Sequence, residues 1–239
     1  MDFEIVVYTI PADETILVGS ASSGLTQLMP KMVLQSRVDI SPEDIVLAGK
    51  AFEEKESRDS MYRVATYLLK NLWGDIPRMV DALTVLLITW NGAFYRYGMF
   101  DQNALETWLR DRWKAVDSLR HREIVEFSNT DEAQVVDLFE SLLGALQIAS
   151  GKSRGKKSPV AVAKALHLLA PGFLPLWDKE IAERYGCAYA KNPSGAYIRF
   201  CRLNREIAVK VSPLLPASKK PLLKRIDEFN YARFTKHWI

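Results

Sequence analysis

The residues best suited to chemistry lie between 151 and 186, GKSRGKKSPVAVAKALHLLAPGFLPLWDKEIAERYG. Asp178 follows Pro175-Leu176-Trp177, and the proline allows a new helix to begin near Leu176, so the carboxylate falls in a first helical turn. There the helix dipole favours an anion. A carboxylate held in that way can steady positive charge developing on a nearby sugar carbon or orient a water, as carboxylates do at glycosidic centres. Upstream, Lys164 and His167 are the only polar side chains from 160 to 169. A helix apolar nearly all round is a buried one, so both need partners, and at a spacing of three they share a face. Before that helix, Lys152, Arg154, Lys156 and Lys157 place four cations in six residues beside Gly151 and Gly155. Glycines expose backbone N–H groups, and with these cations the loop suits a phosphate. Structural roles fit the same residues: a stabilising N-terminal Asp, a Lys164 that snorkels to the surface, and a solvated linker.

Two further groups have the right composition for a nucleic acid. Trp90-Asn91-Gly92-Ala93-Phe94-Tyr95-Arg96-Tyr97-Gly98 frames three aromatics and an arginine between glycines. Aromatic faces of this kind hold a displaced base, although they equally pack a core at a helix end. Trp90, Asn91 and Tyr95, with Lys164, His167 and Trp177, are the expected lining of a pocket. Arg199 and Arg202 begin an arginine row at spacing three, continued by Arg205, opposite Phe200, Leu203 and Ile207. Such a row suits a phosphate backbone and also serves plain solubility.

Several classes are disfavoured. The run Gly151-Lys152-Ser153-Arg154-Gly155-Lys156 has three residues between its glycines where a nucleotide-binding P-loop has four, and it follows a helical pattern rather than a strand. Two cysteines, Cys187 and Cys201, and three scattered histidines make neither a disulfide framework nor a metal set. No metal or other cofactor is therefore expected. The apolar run at 82–90 is too short to span a bilayer, and the acidic start MDFEIVVYTIPADE lacks the basic region of a signal peptide. A reducing cytoplasm is the expected location.

Pro175-Leu176-Trp177-Asp178, with Ile181 and Arg184-Tyr185-Gly186, resembles the turn and following helix of the helix-hairpin-helix DNA glycosylases. The resemblance covers about thirty residues of the 239. It implies a mainly helical fold, a duplex DNA partner and, for Asp178, the role of the aspartate that helps to cleave the glycosidic bond. The family's Leu-Pro-Gly-x-Gly-like hairpin is replaced here by Gly151-Lys152-Ser153-Arg154-Gly155-Lys156-Lys157. Lys157 and Lys164 fall on either side of the offset at which some members carry a nucleophilic lysine.

The elements that must position these residues are nearly all helical. Ser41-Pro42-Glu43-Asp44 is a helix start running to about 56, and Met61, Val64, Ala65, Leu68 and Leu72 repeat at three and four. Asp75-Ile76-Pro77, Asp101 and Thr130-Asp131-Glu132 open further helices, and others are expected over about 196–211 and from 221. Residues 3–10 read as a strand and 15–19 as a second; a helix is expected from about Gly24. Charge divides the chain. Residues 1–149 hold 14 Lys/Arg against 23 Asp/Glu, and residues 150–239 hold 18 against 6. The basic part suits a polyanion, or the two parts attract one another.

The expected architecture is mainly α: a bundle of nine or ten helices in one body with two lobes and a small N-terminal β element. The divisions are 1–40, an acidic helical lobe at 41–149 and a basic helical lobe at 150–239. The expected function is that of a DNA-binding protein of glycosylase-like architecture, acting as a base-excision N-glycosylase. The alternative is a non-enzymatic helical protein that binds nucleic acid or a protein.

Overall fold

The computed structural model describes residues 6–10, 14–18, 38–56 and 59–239. The helix expected from Gly24 lies outside them. The chain divides into two compact units, residues 1–34 and 35–239. In the first, β1 (Val6–Ile10) and β2 (Glu14–Val18) pair antiparallel, Val6 opposite Val18 and Ile10 opposite Glu14.

The second unit is helical, and its helices start where local chemistry permits. In α1 (Pro42–Lys55) the Ser41 hydroxyl accepts from Asp44 N–H at 3.1 Å and the Asp44 carboxylate accepts from Ser41 N–H at 3.1 Å. This reciprocal cap satisfies two donors that a helix start leaves open. α2 (Asp59–Asn71) and α3 (Ile76–Trp90) form a hairpin, turned at Gly74 with its φ of +92° and restarted by the Asp75 cap. There follow α4 (Gly92–Tyr95), β3 (Gly98–Phe100), α5 (Gln102–Asp111), α6 (Trp113–Leu119) and α7 (Glu132–Ala145). Next come β4 (Ile148–Gly151), α8 (Pro159–Leu169), α9 (Lys179–Arg184), α10 (Pro193–Val211) and α11 (Leu222–Asn230).

The architecture is thus mainly α, with eleven α-helices among the described residues. That exceeds nine or ten because short segments are helical in their own right. The Asp101-capped pattern that runs on to Trp113 breaks at Arg112 into α5 and α6. A second difference is the antiparallel pair β3–β4, with Gly98 opposite Gly151. A Cβ on Gly98 would strike the Ser150 carbonyl, and one on Gly151 the Tyr97 carbonyl. Glycine is needed on both strands for the chains to come this close.

α8 lies at the centre, packed on α2, α3 and α7, with Ala161, Val162, Ala165, Leu166, Leu168 and Leu169 buried. α7 also packs on α5 and α10, and α11 on α1. The change of charge at 150 therefore falls inside the unit. Arg202 pairs with Glu132 at 2.6 Å, Lys210 with Asp39 at 2.6 Å and Lys220 with Glu53 at 3.0 Å. Part of the charge asymmetry is neutralised internally.

His167 is fully buried on α8. Its Nδ1 lies 2.8 Å from the Leu174 carbonyl, which can only accept, so Nδ1–H donates there and Nε2 accepts from Tyr62 OH at 3.0 Å. Burial lowers its pKa to about 3. The unfolded chain takes up the proton near 6.5, so His167 favours folding above that pH, and this contribution falls as pH drops from about 6.5 toward about 3. Between pH 6.5 and 5 the loss should be about 1.6 kcal/mol relative to His167→Gln, which has no such proton. Urea midpoints of both proteins at the two pH values check this, and parallel pH dependences would contradict it.

Candidate functional site

Asp178 is the N-cap of α9, in extended conformation, with Oδ1 accepting from Ile181 N–H at 2.8 Å. Oδ2 accepts from the Thr235 hydroxyl at 3.2 Å. α9 is only six residues long, so these two hydrogen bonds position the carboxylate more than a helix dipole does. Immediately before it, Trp177 is 1 % exposed, its ring against Tyr189, Tyr197 and Phe200. Its indole N–H donates to the Pro159 carbonyl at 3.4 Å, tying the turn to the start of α8.

Asp178 opens into a cleft of about 300 Å³. That is at the small end of pockets for small molecules, about 300–1,000 Å³. Its walls include Phe52 of α1, Trp90 at the end of α3, Lys164 of α8, Trp177, and Tyr231 after α11. Trp90 is a rigid wall because Tyr62 stacks behind it, ring centroids 5.6 Å apart and planes 9° from parallel. Lys164 Nζ donates to the Trp90 carbonyl at 3.0 Å and to Asn91 Oδ1 at 2.9 Å, and sits 5.5 Å from the Trp90 ring centroid. Asn91 Nδ2 in turn donates to the Ser158 hydroxyl, the cap of α8, at 3.3 Å.

Of the residues expected in a pocket, Trp90, Lys164, Trp177 and Asp178 meet in this cleft, with Asn91 holding the lysine. His167 and Tyr95 do not. His167 turns into the core, and Tyr95 is buried with its hydroxyl donating to the Leu146 carbonyl at 3.4 Å and its ring against Phe100. Lys164 and His167 share a face only loosely: three residues rotate a helix by about 300°, leaving about 60° between them. That is enough to send one to the cleft and the other to the core.

Lys152, Arg154, Lys156 and Lys157 are exposed. The loop that carries them is folded: Ile148 N–H donates to the Lys156 carbonyl at 3.0 Å and Gly155 N–H to the Ile148 carbonyl at 2.8 Å. Arg202, expected on a phosphate, instead forks onto Glu132, at 2.7 and 2.6 Å. Arg199 is half-buried and holds down the pKa of the Cys187 thiol, which burial pushes up to about 11.

Sequence reasoning missed the contribution of α11. Lys224 and Asp227 both line the cleft. Lys224 is buried over the rings of Phe52 and Tyr62, 4.3 and 4.7 Å from their centroids. In the sequence Lys224-Arg225-Ile226-Asp227-Glu228 reads as a solvated helix face. The sequence pattern points to Leu222, Ile226 and Phe229 as the apolar stripe, whereas Leu223 takes the place of Leu222 in the core and Lys224 and Glu228 are buried beside it.

Among the described residues no group of three or more His, Cys, Asp or Glu is arranged to hold a metal ion, and no helix is long and apolar enough to cross a membrane. Comparison with protein-family models, curated proteins and solved structures found no match to this chain.

Proposed function

We propose that the protein binds duplex DNA and releases a base from it by cleaving an N-glycosidic bond in this cleft. The observation that carries the reading is a carboxylate fixed at two oxygens and facing a small cavity walled by aromatic rings. A base taken out of the stack is held by aromatic faces. Positive charge then develops on its sugar as the bond to the base lengthens, and a fixed anion beside that carbon lowers the barrier. Asp178 is that anion. Lys164, held by Trp90 and Asn91, adds a charged donor to the lining of the same cavity. The reading also agrees with the resemblance of Pro175-Leu176-Trp177-Asp178 to the glycosylase turn. We further read the protein as cytoplasmic, which suits two buried cysteines that form no disulfide.

The basic loop supplies the duplex contact. Lys152, Arg154, Lys156 and Lys157 take part in no ion pair among the described residues, in contrast to Arg202, Lys210 and Lys220. Replacing all four by Ala should weaken binding to every duplex sequence alike. It should also shallow the log–log dependence of affinity on salt by about 3 to 4, the counterion release of four phosphate contacts. Fluorescence titrations at several salt concentrations measure this, and an unchanged slope would remove the loop from the interface.

The function itself is tested by incubating the protein with duplexes carrying alkylated, oxidised or deaminated bases and detecting free base by chromatography. Release of one or more is expected. Binding without release from any would make this a non-enzymatic nucleic-acid-binding protein, with Asp178 a structural cap.

A further inference from the structure

Four carboxylates line the cleft, Glu56, Asp59, Asp178 and Asp227, and the last two are held differently. Asp178 has a hydrogen bond to each oxygen, from a backbone N–H and from a hydroxyl. Asp227, on α11, has a side chain only 14 % exposed, and its hydrogen-bond partner is Lys224 Nζ at 3.4 Å. That cation is shared. Lys224 Nζ also lies 3.6 Å from Asp59 Oδ1 and 3.9 Å from Glu228 Oε1, and its side chain is 3 % exposed. Asp59 has further support from Arg63 at 3.4 Å, and Glu228 from Lys220 at 2.8 Å. Asp227 has no second cation at ion-pair distance among the described residues. Asp59 lines the cleft too, its Oδ1 buried without a hydrogen bond, but it has Arg63 as well as Lys224; Asp227 faces the cleft with Lys224 as its single ion-pair partner among the described residues.

Building on the base-release reading, we propose that Asp227 is the proton donor of the cleft, and that the substrate class is a neutral base in N-glycosidic linkage rather than a cationic, alkylated one. A neutral base leaves as an anion unless a ring atom is protonated, whereas a base alkylated at a ring nitrogen already departs uncharged. An acid in the cleft is therefore useful for the first kind only. Burial and the nearby Asp178 raise the Asp227 pKa, against the opposing pull of Lys224 and Lys164.

The Asp227 carboxyl gives its proton to a ring nitrogen of the base as the C1′–N bond breaks, with the bonding pair going to the base. Asp178 faces the electron-poor sugar carbon. Water adds its oxygen to C1′, and the proton it sheds returns to the Asp227 carboxylate. Free neutral base and a 1′-hydroxyl sugar result, and both side chains are restored.

The test is single-turnover release by the parent protein and Asp227→Asn. The duplexes carry hypoxanthine, uracil or 8-oxoguanine as neutral bases, or 7-methylguanine as a cationic one. Loss of the acid should slow release of the neutral base that the parent accepts by about 10²–10⁴-fold, the contribution of a positioned general acid. Release of 7-methylguanine should change less than about tenfold, since the same acid has no proton to deliver there. Equal rates for the two proteins on the neutral base, or equal losses on both kinds of base, would overturn the assignment. A parent that releases only 7-methylguanine would overturn it and leave the base-release reading standing; a parent that releases nothing removes both. Should Asp227→Asn fail to fold, carbon-13 NMR titration of the parent decides. The Asp227 carboxyl is expected to titrate above the ordinary aspartate value of about 3.9, and a midpoint at or below it overturns the proposal.

Discussion

Asp178→Asn is expected to slow base release by about 10²–10³-fold or more while leaving the fold and the duplex affinity in place. The magnitude is that of removing a positioned electrostatic partner of a transition state. Retention of the fold follows from the contacts. Asparagine is as good an N-cap as aspartate, and its carbonyl can accept from Ile181 N–H as Oδ1 does at 2.8 Å. Its amide can donate to the Thr235 hydroxyl in place of the present bond at 3.2 Å. What asparagine lacks is the charge. Asp178→Ala is a useful contrast, because it removes the cap as well and should cost about 0.5–2 kcal/mol of stability. Thermal melting separates the two effects. A purely structural Asp178 would show the stability loss in Asp178→Ala and no release rate to lose in either variant.

Trp177→Ala is expected to destabilise the protein by about 3–5 kcal/mol, the cost of emptying a large aromatic site in a close-packed core. The indole is 1 % exposed and edges onto Phe139 and Tyr197. It also joins the turn before α9 to the first residue of α8 through the Pro159 carbonyl. Removing it both opens a cavity and frees the backbone that aims Asp178, so any remaining folded protein should release base more slowly than the parent. Urea titration measures the first effect. A loss below about 1 kcal/mol would mean that the neighbouring aromatics close over the gap or that the indole is not in the core.

Asp178 was legible in the sequence because its position is set locally. A proline followed by a capping side chain is a short-range code, but the helix starts at Lys179 rather than near Leu176, so Asp178 is its cap and not a first-turn residue. The burial of α8 was legible for a similar reason, since a ten-residue stretch with two polar side chains has no solvent face to offer. The α11 residues were not legible. Lys224 is buried because Asp59, far away in the chain on α2, meets it across the core at 3.6 Å, and no periodicity reports a partner at that separation. The pair β3–β4 is hidden likewise: strands of three and four residues, about fifty residues apart, leave no alternating pattern.

Charge was the least reliable guide. The excess of Lys and Arg after 150 suggested a polyanion surface as a whole, yet Arg202, Lys210 and Lys220 are engaged by acids of the preceding half. Net charge counts side chains without showing which are paired. The spacing of Arg199 and Arg202 gave a plausible row, and Glu132 on α7 takes one member of it. Lys152, Arg154, Lys156 and Lys157, by contrast, are exposed and take part in no ion pair among the described residues.

Single-turnover release, with every duplex bound, measured side by side for the parent and Asp178→Asn on one substrate, bears most directly on the cleft. The account predicts free base from the parent and a rate at least about 10²-fold lower from Asp178→Asn at matched duplex occupancy. Equal rates from the two proteins, or no free base from the parent on any alkylated, oxidised or deaminated duplex, would contradict it.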